Sequence, residues 1–165
     1  MGESRSVFVD FQVACQVDSI PMKAELHSWL EQAFQAGSRN TSRQYEVAVR
    51  IVDEEESRKL NKQFRRQDKA TNVLAFPAGG PDGITGLPED EIQALGDLVI
   101  CGPLVEEEAE EQGKSPASHW GHLLVHGMLH LLGYDHQTAS QAAEMEALEK
   151  QLLADRGIEN PYRVR

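Results

Sequence analysis

The sequence contains no apolar run approaching the ~18 residues that a membrane-spanning helix needs, so nothing in it reads as a transmembrane segment. Its first residues, MGESRSVFVDF, lack a basic stretch followed by an apolar one, which argues against a secretory signal. Gly2 with Ser6 fits the loose myristoylation pattern, but no other feature points to a membrane. Cysteine is scarce. Cys15 and Cys101 are the only two, neither in a CxxC pair and each in or beside an apolar stretch that reads as a strand. They offer no disulfide framework and suit two buried thiols in a reducing cytoplasm. Aromatic residues make up only 6%, few for a protein that holds single-stranded nucleic acid by stacking. Basic residues are outnumbered 16 to 27, for a formal net charge of −11. Taken alone, that balance argues against a nucleic-acid partner.

What is present suits one globular unit. The chain has 165 residues, 40% hydrophobic and 26% charged, enough to bury a core without staples. Val7 to Ala14 is β-rich, and Val47, Val49 and Ile51 alternate with polar neighbours, so both read as strands. Thr71 to Pro77 and Leu98 to Cys101 read as two more. Pro21 is expected to open a helix that places Leu26, Trp29, Leu30 and Phe34 on one face and that Gly37 ends in a left-handed conformation. Asp53 with Glu56 resembles a capping box. Pro103 and Gly113 bracket an acidic helix, and Ser115-Pro116 cap the next, which runs through a histidine cluster to Gly133. A last helix spans about 138 to 156, with Ala142, Met145, Leu148 and Leu152 on one face. Residues 78 to 94 read as a surface loop, with four glycines, two prolines and four acids. The expectation is a single compact domain over 1–165, of α/β (α+β) class, with a small four-stranded sheet packed by about five helices. The strands are too short and uneven to give their order.

Five of the six histidines fall between His119 and His136. On a helix His126 and His130 share a face one turn apart, where two imidazoles reach one metal ion. Gly133 can break the helix with a positive φ and swing His136 back toward them. Three ligands leave a fourth corner open for water, as a catalytic zinc requires. At 6 histidines in 165 residues, two more at fixed offsets arise by chance roughly once per thousand starting positions, which favours a metal over satisfied core histidines. His119 and His122 lie on nearly the same stripe. With His126 they form a rival ligand set, but one that would strain a straight helix, so they are placed as hydrogen-bonding supports, substrate-facing groups or plain packing. The spacing HxxxHxxGxxH equals that of metzincin proteases, whose base follows the first histidine; here that position is Gly127, which disfavours a protease. Asp135 is a candidate base or a hydrogen-bond partner for an imidazole.

The string from His126 through His130 and Gly133-Tyr134-Asp135 to His136 resembles the signature of the YbeY family, bacterial zinc-dependent, single-strand-specific endoribonucleases of ribosomal RNA maturation. Phe64-Arg65-Arg66-Gln67-Asp68-Lys69-Ala70-Thr71-Asn72-Val73-Leu74-Ala75-Phe76-Pro77 is similar to another family block, with Phe64 in place of its Tyr and Ala75 in place of its Ser. Leu95-Gly96-Asp97 resembles the family's LGD strand. The resemblance implies an α/β domain with a mixed sheet and a metal cleft at the histidine-bearing helix. It implies one zinc on His126, His130 and His136, with Arg65 lining the cleft and contributing to activity. It also implies a cytoplasmic enzyme acting on precursor rRNA, notably the 16S 3′ end, and on defective ribosomes, with ribosomal proteins or ribosome-associated factors as further partners.

Arg58, Lys59, Lys62, Arg65, Arg66 and Lys69 form the one basic run, with 58, 62, 65 and 69 on one face at helical spacing. It reads equally as a solvated helix surface or as a phosphate-binding stripe, with Arg66 and Lys69 as candidate RNA contacts. Arg65 has the more specific role, since a guanidinium can hold two phosphate oxygens at once. The sequence does not choose between water and the RNA 2′-OH as nucleophile. Two rivals stay open: a metalloprotease-like zinc hydrolase, and a non-catalytic ribosome assembly factor whose metal is structural.

Overall fold

β-Branched and aromatic residues run through Val7–Val13 and Tyr45–Val52, and both form strands, β1 and β2. The computed structural model describes residues 6–38, 43–78, 92–135 and 137–158. Strands β3 (Val73–Pro77) and β4 (Gln93–Cys101) complete a sheet of order β1-β2-β4-β3. β1, β2 and β4 are parallel and β3 runs antiparallel at the edge, so the sheet is mixed as expected. β4 begins five residues before the apolar run Leu98 to Cys101. Leu95 to Asp97 is strand, as the resemblance implies, and Gln93 and Ala94 extend it by pairing with Tyr45 and Glu46 of β2, which no local apolar pattern announces. The loop expected over 78–94 lies mostly outside the described residues, and its last two positions belong to β4.

Five helices surround the sheet: α1 (Lys23–Gly37), α2 (Glu54–Arg65), α3 (Gly102–Gln112), α4 (Pro116–Leu131) and α5 (Ala139–Ala154). The main core lies where Leu26, Leu30 and Phe34 of α1 and Leu124, Met128 and Leu129 of α4 meet Val47, Val49, Ile51, Leu98 and Ile100 of the sheet. On the other face Leu60 of α2 covers a smaller cluster of Val52, Leu74 and Val99. None of the helices among the described residues is long and apolar enough to cross a membrane.

Several local expectations hold and several are corrected. Ser115 caps α4 by accepting from the Ser118 amide, Gly113 ends α3 at φ 67°, and Gly133 follows α4 at φ 103°. Asp53 accepts from the Glu56 amide, but Glu56 does not close the reciprocal half of the box, because Arg50 of β2 takes its carboxylate at 2.6 Å. Pro21 does not occupy the first helical position; Met22 is the N-cap and α1 begins at Lys23. Gly37 does not end α1 in a left-handed turn either. It is helical, and a side chain there would stand 2.8 Å from Leu129, so close packing on α4 is what it serves. Lys69 is off the helix that the basic run suggested, since α2 ends at Arg65 and Arg66 turns left-handed at φ 58°. Of the two cysteines only Cys101 is fully buried, and burial pushes its thiol up to about 11; Cys15 is half-buried and raised by the same cause. At neutral pH both are therefore unreactive thiols.

Candidate metal centre

Two glycines fix how α4 is turned. A Cβ at Gly121 would sit 2.4 Å from the Trp29 ring of α1, and one at Gly127 would sit 2.9 Å from Leu98 of the sheet. With those faces packed, the ~100° helical step leaves His119, His122, His126 and His130 on a remaining stripe. Neighbouring helices bring carboxylates to it. Glu108 of α3 lies 2.8 Å from His119 Nε2, and Glu149 of α5 lies 2.5 Å from His126 Nδ1.

His126 and His130 converge as the sequence suggests. Their Nε2 atoms are 3.0 Å apart. Two nitrogens on one zinc at ~2.05 Å and a tetrahedral angle stand about 3.3 Å apart, so a few tenths of an ångström separate this pair from a shared ion. The donor set fits as well: two imidazole nitrogens face each other, and a carboxylate oxygen of Glu149 lies at hydrogen-bond distance from the other ring nitrogen of His126. His122, His126 and Glu149 also form a group that could hold a metal ion, with ligand atoms all within 4.8 Å. His136, the third ligand expected, lies outside the described residues.

The other candidates are placed as follows. His119 is buried, and its partner Glu108 also accepts from Asn72 Nδ2 at 3.0 Å. Burial works to raise the Glu108 carboxyl, but hydrogen bonds from His119 and Asn72 outweigh it and hold the group below the ordinary 4.5. Burial draws His122 below the ordinary 6.5 against the opposing pull of Glu149, so its ring is neutral at neutral pH. Its Nε2 lies 3.5 Å from the second oxygen of Glu149. Asp135 is half-buried and accepts from the Gln137 amide. Arg65 donates to the Ala75 carbonyl at 2.7 Å and stacks 5.4 Å over the Phe76 ring, both on β3, the strand on which α4 also packs. That bond uses the backbone, so alanine in place of serine at 75 leaves it intact. Among the described residues no hydrogen bond joins Arg65 to the histidines. Arg58 is paired with Asp68 and Lys59 with Glu55, whereas Lys62, Arg65, Arg66 and Lys69 are exposed and in no ion pair among the described residues.

Glu108 and Glu149 escaped the sequence reading. Glu149 had a detectable signal, because it falls between Met145 and Leu152 on the apolar stripe of α5, where a charge is out of place. Glu108 lay in an acidic run with no such mark.

A mixed four-stranded sheet backing a helix whose imidazoles converge beside a buried carboxylate defines an α/β domain with a candidate metal centre. The family model described as Endoribonuclease YbeY matches residues 12–157. An Endoribonuclease YbeY of Halorhodospira halophila is 52% identical over 89% of this chain and 91% of its own length. Those of Stutzerimonas stutzeri and Colwellia psychrerythraea are 51% and 44% identical, each over 93% of this chain and over 90% and 96% of their own lengths. A Thermotoga maritima protein solved in solution shares the fold, with a TM-score of 0.54 at 22% identity over 94% of this chain and 99% of its own. The chain belongs to the YbeY endoribonuclease family.

Proposed function

We propose that this protein is a zinc-dependent, single-strand-specific endoribonuclease, its 165 residues forming one hydrolase domain that acts in the cytoplasm on precursor rRNA. Its sites include the 3′ end of 16S rRNA and the RNA of defective ribosomes, where ribosomal proteins are the neighbouring partners. The observation that carries the metal reading is the 3.0 Å approach of His126 Nε2 to His130 Nε2. The family carries the substrate. We assign His126, His130 and His136 as ligands of one zinc per chain. When bound, zinc supplies Lewis acidity toward a phosphate oxygen and toward water.

The chain's own residues supply the rest. Arg65 is held by one N–H on Ala75 and by its stacking on Phe76, which leaves its other N–H groups for the phosphoryl oxygens on which charge builds. Lys62, Arg66 and Lys69 offer exposed charge to the RNA backbone. His119 and His122 are more covered and act as supports of the stripe rather than as RNA contacts. The protease reading loses ground at Gly127, whose site faces Leu98 and Val73 and has no room for the glutamate that chemistry needs.

Elemental analysis of the wild type beside His130→Ala, with RNA and casein cleavage scored on both, tests this. The expected result is about one zinc per chain and cleavage of single-stranded RNA only, both lost in the variant. Metal without RNA cleavage would replace the enzyme by an assembly factor with a structural ion. A folded wild type without metal would remove the centre.

A further inference from the structure

We propose that Glu149 is the positioning residue of the centre: from α5 it fixes the tautomer and orientation of His126, so that the Nε2 lone pair is aimed at the point His130 also faces. The proposal rests on the metal reading above, and it concerns a residue that the signature string does not contain. Glu149 is 0% exposed, on a helix face otherwise built of Met145, Leu152 and Leu153. A carboxylate is costly to bury and persists there only with partners that satisfy it. Its two oxygens reach rings on successive turns of α4, Oε1 at 2.5 Å from His126 Nδ1 and Oε2 at 3.5 Å from His122 Nε2. An ionised carboxylate only accepts, so the proton between it and His126 belongs to Nδ1. A neutral imidazole carries one proton, so Nε2 is left as the lone-pair nitrogen. The 2.5 Å spacing is that of a hydrogen bond, well short of the roughly 3.3 Å between two donors on one zinc. Glu149 therefore stands behind His126 rather than beside it as a ligand.

The test compares wild type, Glu149→Gln and Glu149→Leu, each with two readouts. The first is the His126 tautomer in metal-free protein, from ¹⁵N NMR at mildly alkaline pH. The second is the zinc dissociation constant, from chelator competition. The wild type is expected to protonate His126 at Nδ1. Glutamine keeps a carbonyl acceptor, so Glu149→Gln should retain that tautomer and lose little zinc affinity. Glu149→Leu should lose the tautomer and bind zinc about 10–100-fold more weakly, which a purely packing role for Glu149 would not produce. A wild-type His126 protonated at Nε2 would overturn the proposal, and so would a folded Glu149→Leu protein with unchanged tautomer and affinity. If Glu149→Leu fails to fold, the wild-type tautomer still decides. A wild type with the expected tautomer but no zinc binding would sink the metal reading and leave the Glu149–His126 bond standing.

Discussion

Glu108 and Glu149 each hold an imidazole of α4, but water reaches only one of them: the Glu108 side chain is 28% exposed and that of Glu149 is sealed. The exposed member is the one whose titration can be read as stability. Its folded value lies below the ordinary 4.5 despite burial, because His119 and Asn72 bind the ionised form. The unfolded chain therefore takes up the proton first. The stabilisation is complete above about 4.5 and disappears as pH falls through the folded value. Urea midpoints measured from pH 5.5 downward should fall more steeply for wild type than for Glu108→Gln, and identical slopes would mean that the network contributes nothing. Gly127 makes a second residue-scale prediction. Its Cβ position is already within 2.9 Å of Leu98, so Gly127→Glu should cost about 2 kcal/mol or more in chemical denaturation and give no casein cleavage. Casein cleavage by a stably folded variant would show that the side chain reaches the cleft after all.

At the scale of elements, α4 ends where Gly133 turns at φ 103° with no atom within 4 Å of a Cβ there. Only backbone strain opposes a larger residue, and Gly133→Ala should cost about 1–2 kcal/mol. For a chain of this size that is a fall of several degrees in Tm. Zinc affinity should fall with it, because Gly133 separates His130 from His136 in the chain. An unchanged melting curve would contradict the strain. This helix was the most legible part of the sequence, since its cap, its histidine spacing and its terminator are all local signals. Gly37 was misread for the opposite reason: its purpose is set by Leu129, far along the chain, and a glycine looks the same whether it serves a turn or a close contact. The start of β4 at Gln93 and Ala94 and the order of the sheet escaped because pairing across the chain decides them. The partner of His126 escaped because one charged residue on an amphipathic helix shows what it touches only when the helices are packed. Arg65 belongs to this scale too, since α2 ends there and β3 holds its guanidinium. Arg65→Lys keeps the charge but loses the planar fork, so RNA cleavage should drop by roughly 10²-fold with zinc content unchanged. Near-wild-type cleavage in that variant would reduce Arg65 to a general positive charge.

For the whole molecule, a net charge of −11 and an RNA substrate pull against each other, and the ion pairs show where the conflict is resolved. Acidic neighbours take up Arg50, Arg58 and Lys59, while Lys62, Arg65, Arg66 and Lys69 at and just beyond the end of α2 stay exposed and outside any ion pair among the described residues. The attraction for RNA is therefore concentrated in one small region of a repelling surface, and it should be weak and short-ranged. About four phosphate contacts would make log K for single-stranded RNA fall with log salt at a slope of roughly −2.8. Removing two of the charges in Lys62→Ala/Arg66→Ala should flatten that slope by about 1.4 while zinc content stays at the wild-type level. The same double substitution should leave stability nearly unchanged, since neither side chain is in an ion pair among the described residues. Fluorescence anisotropy with a short labelled oligonucleotide across a salt series measures both quantities. An unchanged slope in the double variant would mean that RNA approaches over a different face, and that the basic run is the solvated helix surface that most such runs are.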